Sequence, residues 1–395
     1  MVGKSIWAEF GFFFLTGVVG LIGFNSTLGF SEFFDAAAPG SVFYMAFSSN
    51  IGGMLSFVIE PFLLKSFSNV KKLFTIACSI LVLISLLFSF AMLFREQRYT
   101  FFTLIGLNFI FGFFSFWFQS KGVSTAAGVS PASVKNYSLG TGAAGVISMI
   151  ACYVLNLLYP PERFSGPDFA AMEAQVIAYG AFFFGIFATF FLFLGLWIGP
   201  KNSYSQIIQS SLESKVMQEP SAEEQVEEVD IKYILAESFD INMGMMVNYI
   251  STINLVSYWV YTSYKTFGNK GLQQVPLALY YFMFNVGDMV SKGIPVGLLP
   301  SSSRVAHAVN VLKLLLNVYF FWIILGKSEG LLVSSEVRLA VVFAGGILNG
   351  YMTNTYFVLN GSRFDKMEEK GKAGSLNVLF LLTGLTIGSF TSLLL

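Results

Sequence analysis

An apolar stretch at 280–295, YYFMFNVGDMVSKGIP, is interrupted by three polar side chains. Asn285, Asp288 and Lys292 are three and four residues apart, the spacing that puts side chains on one face of an α-helix. A carboxylate accepts hydrogen bonds and an ammonium donates them, so this face suits a hydroxylated solute, above all the vicinal diol of a sugar. A charge near the middle of a bilayer costs ~2.5–3.5 kcal/mol on translocon scales, and such residues mark a path or a pair. Two readings follow. The i,i+4 pair neutralises itself and lowers the cost of insertion, or it lines a central cavity and binds solute. Opposite charges also let a neutral polar solute bind without net charge transfer.

Other polar residues sit in apolar runs. Gln119 presents a donor and an acceptor on one amide, which can read the edge of a base or bond a neighbouring helix. Asn25 faces either a cavity or an adjacent helix. Glu9 reads as interfacial, with proton coupling as the alternative. Lys121 reads as snorkelling toward the cytosolic end or pairing with a carboxylate such as Glu60. Asp240 reads as a helix start cap, and the single histidine, His307, as structural at a helix end. Cys78 and Cys152 lie in apolar runs and read as small core hydrophobes. The sequence has no Ser/His/Asp set, no HExxH and no P-loop. The chain is therefore expected to be no enzyme and to hold no cofactor or metal.

Membrane helices must position these residues. Of 395 residues, 55% are hydrophobic and only 12% charged, against about 25% charged in soluble proteins. So much apolar surface requires lipid as its solvent. Net charge is zero, which gives no case for binding nucleic acid. The expected fold class is an all-α polytopic membrane protein with eleven transmembrane helices, each near the ~20 residues needed to cross. They are read at about 6–30, 41–64, 73–93, 101–129, 138–158, 175–198, 239–264, 275–299, 306–325, 337–358 and 373–395. The stretch 131–135 reads as a turn and 363–372 as a charged loop. The first span is long and holds Glu9, so it reads as a retained helix and not a cleaved signal peptide.

An acidic run at 219–230 marks 200–232 as a solvated linker, with a short amphipathic piece at 204–212. It divides a six-helix bundle, 1–199, from a five-helix bundle, 233–395, which suits two bodies rocking around a central site. Lysine and arginine favour one set of loops by nearly two to one. This places the N-terminus and the linker in the cytosol and the C-terminus outside.

The eighth span resembles the signature of equilibrative nucleoside transporters, where an Asn-x-x-Asp face is followed one turn later by Gly-Arg. Phe284, Asn285 and Asp288 match, and Ser291-Lys292 stands in place of Gly-Arg. Asn349-Gly350-Tyr351 resembles the family's NGY in helix 10. Gly140, Gly142 and Gly145 resemble its GxGxxG in helix 5, and Ala373-Gly374 with Gly384 and Gly388 its last helix. Pro131 after a glycine-rich fourth span also fits, as does Phe24-Asn25, where the family often has Trp-Asn. In the seventh span Leu255-Val256 stands where the family commonly has Phe-Pro. The resemblance implies a fold related to the major facilitator superfamily and facilitated diffusion of nucleosides or nucleobases by alternating access, at the plasma membrane. It implies that Gln119 contacts the base and that Asp288 and Lys292 contact the ribose, with Asn25 and Asn285 as further substrate-binding residues. The alternative is a carrier of another polar solute, a sugar or an amino acid, coupled to protons through Glu9 or Glu60.

Overall fold

The computed structural model describes residues 2–29, 34, 41–66, 79–80, 83, 87, 97–158, 230–263, 275–325 and 331–392. Among these residues the architecture is all-helical: α1 Val2–Gly29, α2 Ser41–Ser66, α3 Gln97–Val129, α4 Pro131–Leu158, α5 Ile231–Ser263, α6 Leu277–Lys292, α7 Ser303–Ile324, α8 Ser335–Ser362 and α9 Met367–Ser392. Two 3₁₀ turns, Val296–Leu298 and Leu331–Val333, link α6 to α7 and α7 to α8. These helices correspond to nine of the eleven expected spans. The span at 175–198, most of that at 73–93 and the linker to residue 229 lie outside the described residues, as do Cys78 and the side chain of Glu60.

Five described helices, α1, α3, α4, α7 and α9, are long and apolar enough to cross a membrane. α2, α5, α6 and α8 fall short, and the last three carry Asn248, Asp288 and Asn349. α6 is short, at 16 residues, and in α5 and α8 buried polar side chains interrupt the apolar run.

Helix ends depart from the sequence reading for local reasons. The stretch 131–135 is the first turn of α4 and not a loop. Pro131 sits where a helix lacks an amide partner in any case, and the Ser130 hydroxyl accepts from the Ser133 amide at 3.0 Å, capping the helix. α5 starts eight residues earlier than expected, where Asp230 Oδ1 accepts from the Lys232 amide at 2.8 Å. Asp240 is therefore no start cap; it lies inside α5 and pairs with Arg363 at 2.7 Å. α6 stops at Lys292, short of the expected 299, because Gly293 and Pro295 follow. α9 takes in most of the expected charged loop, with Glu368 and Glu369 at the positive end of its dipole.

α4 packs between α1 and α6, α2 lies along α3, and α9 runs against α3, α2 and α5. α8 packs on α6, α5, α7 and α4. An apolar core spans both halves of the chain, from Phe13, Phe118 and Tyr137 to Met245, Tyr356 and Leu382. The junction of α4, α6 and α8 brings the opening motif to a buried position.

Candidate functional site

Tyr280, Tyr281 and Phe284 of α6 pack around Trp259 of α5, with ring centroids 5.2–6.2 Å away. Asn285, Asp288 and Lys292 continue from Tyr281 along the helix at spacings of four, three and four residues, all buried. This face meets α4 through two glycines. A β-carbon at Gly142 would lie 2.8 Å from the Met289 Cα, and one at Gly145 would strike the Asn285 side chain. Only glycine lets the two backbones come this close.

The Lys292 ammonium lies 2.8 Å from Asp288 Oδ2. It also donates to Thr141 Oγ1 of α4 at 3.1 Å. The second carboxylate oxygen, Oδ1, accepts from the Asn349 amide of α8 at 2.7 Å. Asp288 thus has a donor on each oxygen, and the pair joins three helices. Asn285 donates back to the Tyr281 carbonyl at 2.8 Å, which holds its amide beside Gly145.

Beyond Asn349 the network continues to a residue that the sequence reading passed over. Lys313 of α7 is fully buried. Its ammonium donates to Asn349 Oδ1 at 2.8 Å and to the backbone oxygen and Oδ1 of Asn248 in α5, at 2.9 and 2.7 Å. It also reaches Thr252 Oγ1 at 2.5 Å. The signal was present in the sequence, since a lysine interrupts the apolar run VLKLLLNV. The site therefore holds one carboxylate and two ammonium groups, linked through one amide.

Other candidate residues lie elsewhere. Gln119 is buried and its amide donates to the Gly20 carbonyl of α1 at 3.1 Å, a helix–helix bond. Asn25 is half-buried on α1, one residue before Ser26, whose hydroxyl meets Ser148 of α4 at 3.0 Å. Glu9 accepts from the Ser133 hydroxyl and, at 3.4 Å, from that of Ser130, so it secures the start of α4. His307 meets the Tyr356 hydroxyl at 3.1 Å, a structural contact between α7 and α8. Cys152 is buried and directs its thiol to the Gly29 carbonyl at 2.8 Å, as a core position would. Among the described residues no group of His, Cys, Asp and Glu is arranged to hold a metal ion.

No protein-family model and no curated protein matches the sequence. Solved structures do match the fold. XylE, a proton:xylose symporter of the major facilitator superfamily bound to 6-bromo-6-deoxy-D-glucose, aligns with a TM-score of 0.58 at 14% identity, over 98% of this chain and 87% of its own. A bacterial homologue of the iron transporter ferroportin, in its outward-facing state, gives 0.59 at 13% identity, over 98% and 92%. A single-residue variant of the E. coli fucose:proton symporter FucP gives 0.58 at 12% identity, over 98% and 95%. The chain thus has a major-facilitator-like membrane fold.

Proposed function

We propose that this chain is a transporter that moves a nucleoside or nucleobase by facilitated diffusion, its N-terminal six-helix and C-terminal five-helix bundles alternating around the Asp288 site. One observation carries this reading. A buried carboxylate–ammonium pair sits where α4, from the first half of the chain, meets α6 and α8 from the second. Charge placed there at such cost is best explained by a polar solute that comes and goes.

The chemistry follows from the partners. Lys292 now bonds the Thr141 hydroxyl, and Asp288 accepts from the Asn349 amide. A solute diol can replace both, its hydroxyls accepting from the ammonium and donating to the carboxylate. Phe284, one turn before Asp288 on α6 and packed against Trp259 of α5, gives a flat apolar face next to the pair, which suits a ring. The orientation that fits the loop charges has the N-terminus and linker in the cytosol and the C-terminus outside, with the plasma membrane as the location.

The test is uptake of labelled adenosine and uridine into oocytes that express the chain, and saturable uptake is expected. Well-expressed surface protein that takes up no purine or pyrimidine nucleoside or nucleobase refutes the substrate class. Asp288→Ala is expected to reach the surface and lose uptake; unchanged uptake returns the pair to self-neutralisation.

A second reading is a sugar carrier. The pair and Asn349 recognise hydroxyls, and nothing in those contacts demands a base. Two proteins of similar fold are a xylose and a fucose symporter. Competition of nucleoside uptake by sugars and amino acids separates the readings.

A further inference from the structure

The cage around Lys313 separates into host and guest. Three of its four oxygens belong to α5, from Asn248 and Thr252 one turn apart, and the fourth is Asn349 Oδ1 on α8. α7 contributes only the ammonium. α5 and α8 also hold the cage together without it, since Thr252 Oγ1 lies 2.7 Å from Asn349 Oδ1 and Asn248 Nδ2 donates to Thr353 Oγ1 of α8 at 3.3 Å.

Donor counting is consistent with a charged guest. Three of the oxygens are carbonyl oxygens, which only accept, and all lie within 2.9 Å of Lys313 Nζ. A neutral amine has two N–H groups and cannot serve three acceptors; an ammonium has three. The same logic orients Asn349, whose oxygen must face Lys313 and whose nitrogen must face Asp288 Oδ1, 2.7 Å away. No carboxylate enters the cage itself. Convergent neutral oxygens replacing the water of a buried single charge are what carbonyl-lined potassium sites provide. Divalent cations are instead held mainly through carboxylates.

We propose that α5 and α8 form a monovalent-cation site and that the Lys313 ammonium is its built-in occupant. The cation is tethered and cannot exchange with solution. The native protein therefore needs no dissolved Na⁺ or K⁺ at this position and draws on no gradient of either ion through it. Removing the ammonium leaves oxygens that take an alkali cation in its place.

Purified native protein, Lys313→Ala and Lys313→Met are melted in NaCl, KCl and choline chloride at equal ionic strength. Lys313→Ala is expected to melt higher in NaCl or KCl than in choline by ~2 °C or more. The native protein and Lys313→Met, whose chain fills the space, are expected to show no difference between the three salts. Should Lys313→Ala not accumulate, Lys313→Ser is measured in the same way. Cells always contain K⁺, so the proposal requires at least one of the two to accumulate. An absence of both, an equal melting temperature in all three salts, or the same cation effect in the native protein each overturns it.

Discussion

Replacing Asp288 by Asn keeps the size of the side chain but removes the charge opposite Lys292. At their separation of 2.8 Å, and with an effective dielectric of ~20, the attraction is ~6 kcal/mol. The ammonium keeps its separate hydrogen bond to Thr141. Removing one partner of a buried pair costs ~3–5 kcal/mol in comparable cases. With an unfolding entropy of ~2.1 cal/mol/K per residue over 395 residues, each kcal/mol is about 1.2 °C, and the melting temperature should fall by roughly 4–6 °C. Lys292→Met should cost less, because Lys313 stands one amide away from Asp288 and keeps a cation near it. The double variant Asp288→Asn/Lys292→Met removes both charges at similar volume. It is expected to recover ~2–4 kcal/mol relative to the sum of the two single losses. The assay is thermal melting of purified variants, with uptake measured at matched surface expression. Recovered stability with lost uptake assigns the pair to solute binding. Recovery of both leaves it only the task of neutralising itself. Losses that simply add show that the two charges do not act as a pair, and the reasoning fails.

Three further expectations follow from other contacts. Gly145→Ala pushes a methyl group into Asn285 and should lower stability by ~1–3 kcal/mol, whereas Gly297→Ala, which enters open space, should leave the melting temperature unchanged. Asp240→Asn breaks a half-exposed pair with Arg363 and should cost under ~1 kcal/mol, so a shift in melting temperature of only ~2 °C or less is expected. Gln119→Leu removes the bond to the Gly20 carbonyl and should lower the melting temperature by an amount equivalent to ~1 kcal/mol, with KM for uptake unchanged. A raised KM with unchanged melting would instead give Gln119 the base-contacting role.

Lipid as solvent is why the fold was legible. A chain that must satisfy its own backbone in hydrocarbon writes its helices as long apolar runs, and nine of these appear as described helices. The ends were less legible. Proline at 131 and charge at 363–372 normally mark loops, but here one is a first helical turn and the other a dipole-matched helix start. The Asp288–Lys292 pair was readable because four residues of helix fix their proximity. The partnership of Asn349 and Lys313 was not, since it joins α6, α7 and α8 by packing that no local spacing encodes. Asn349 stands out within Asn349-Gly350-Tyr351, but its contacts lie across helices. Gln119 keeps both readings: its amide suits a base, and its nitrogen donates to a helix carbonyl.

The distribution of bonds around the site bears on which contact opens. Lys313, Asn248, Thr252, Asn349, Asp288 and Lys292 all belong to α5–α8, and they hold one another through charge-assisted hydrogen bonds at 2.5–2.9 Å. Across to α4 the cluster makes one longer bond, Lys292 to Thr141 at 3.1 Å, beside a glycine contact with little side chain to unlock. A hydrogen bond to a charged group contributes ~1.5–3 kcal/mol, while breaking the buried charge pair costs more. If the halves of the chain separate, the Thr141 contact is therefore the one to yield, and the Asp288–Lys292–Asn349 group moves as a unit with the second half. A solute hydroxyl that takes the place of the Thr141 oxygen restores the lost bond on the open side. Thr141→Val removes that oxygen while keeping the shape. It is expected to lower the melting temperature by roughly 2–4 °C and to change uptake kinetics. Unchanged uptake with a large loss of stability would show instead that the Lys292–Thr141 bond is structural and that the opening lies elsewhere.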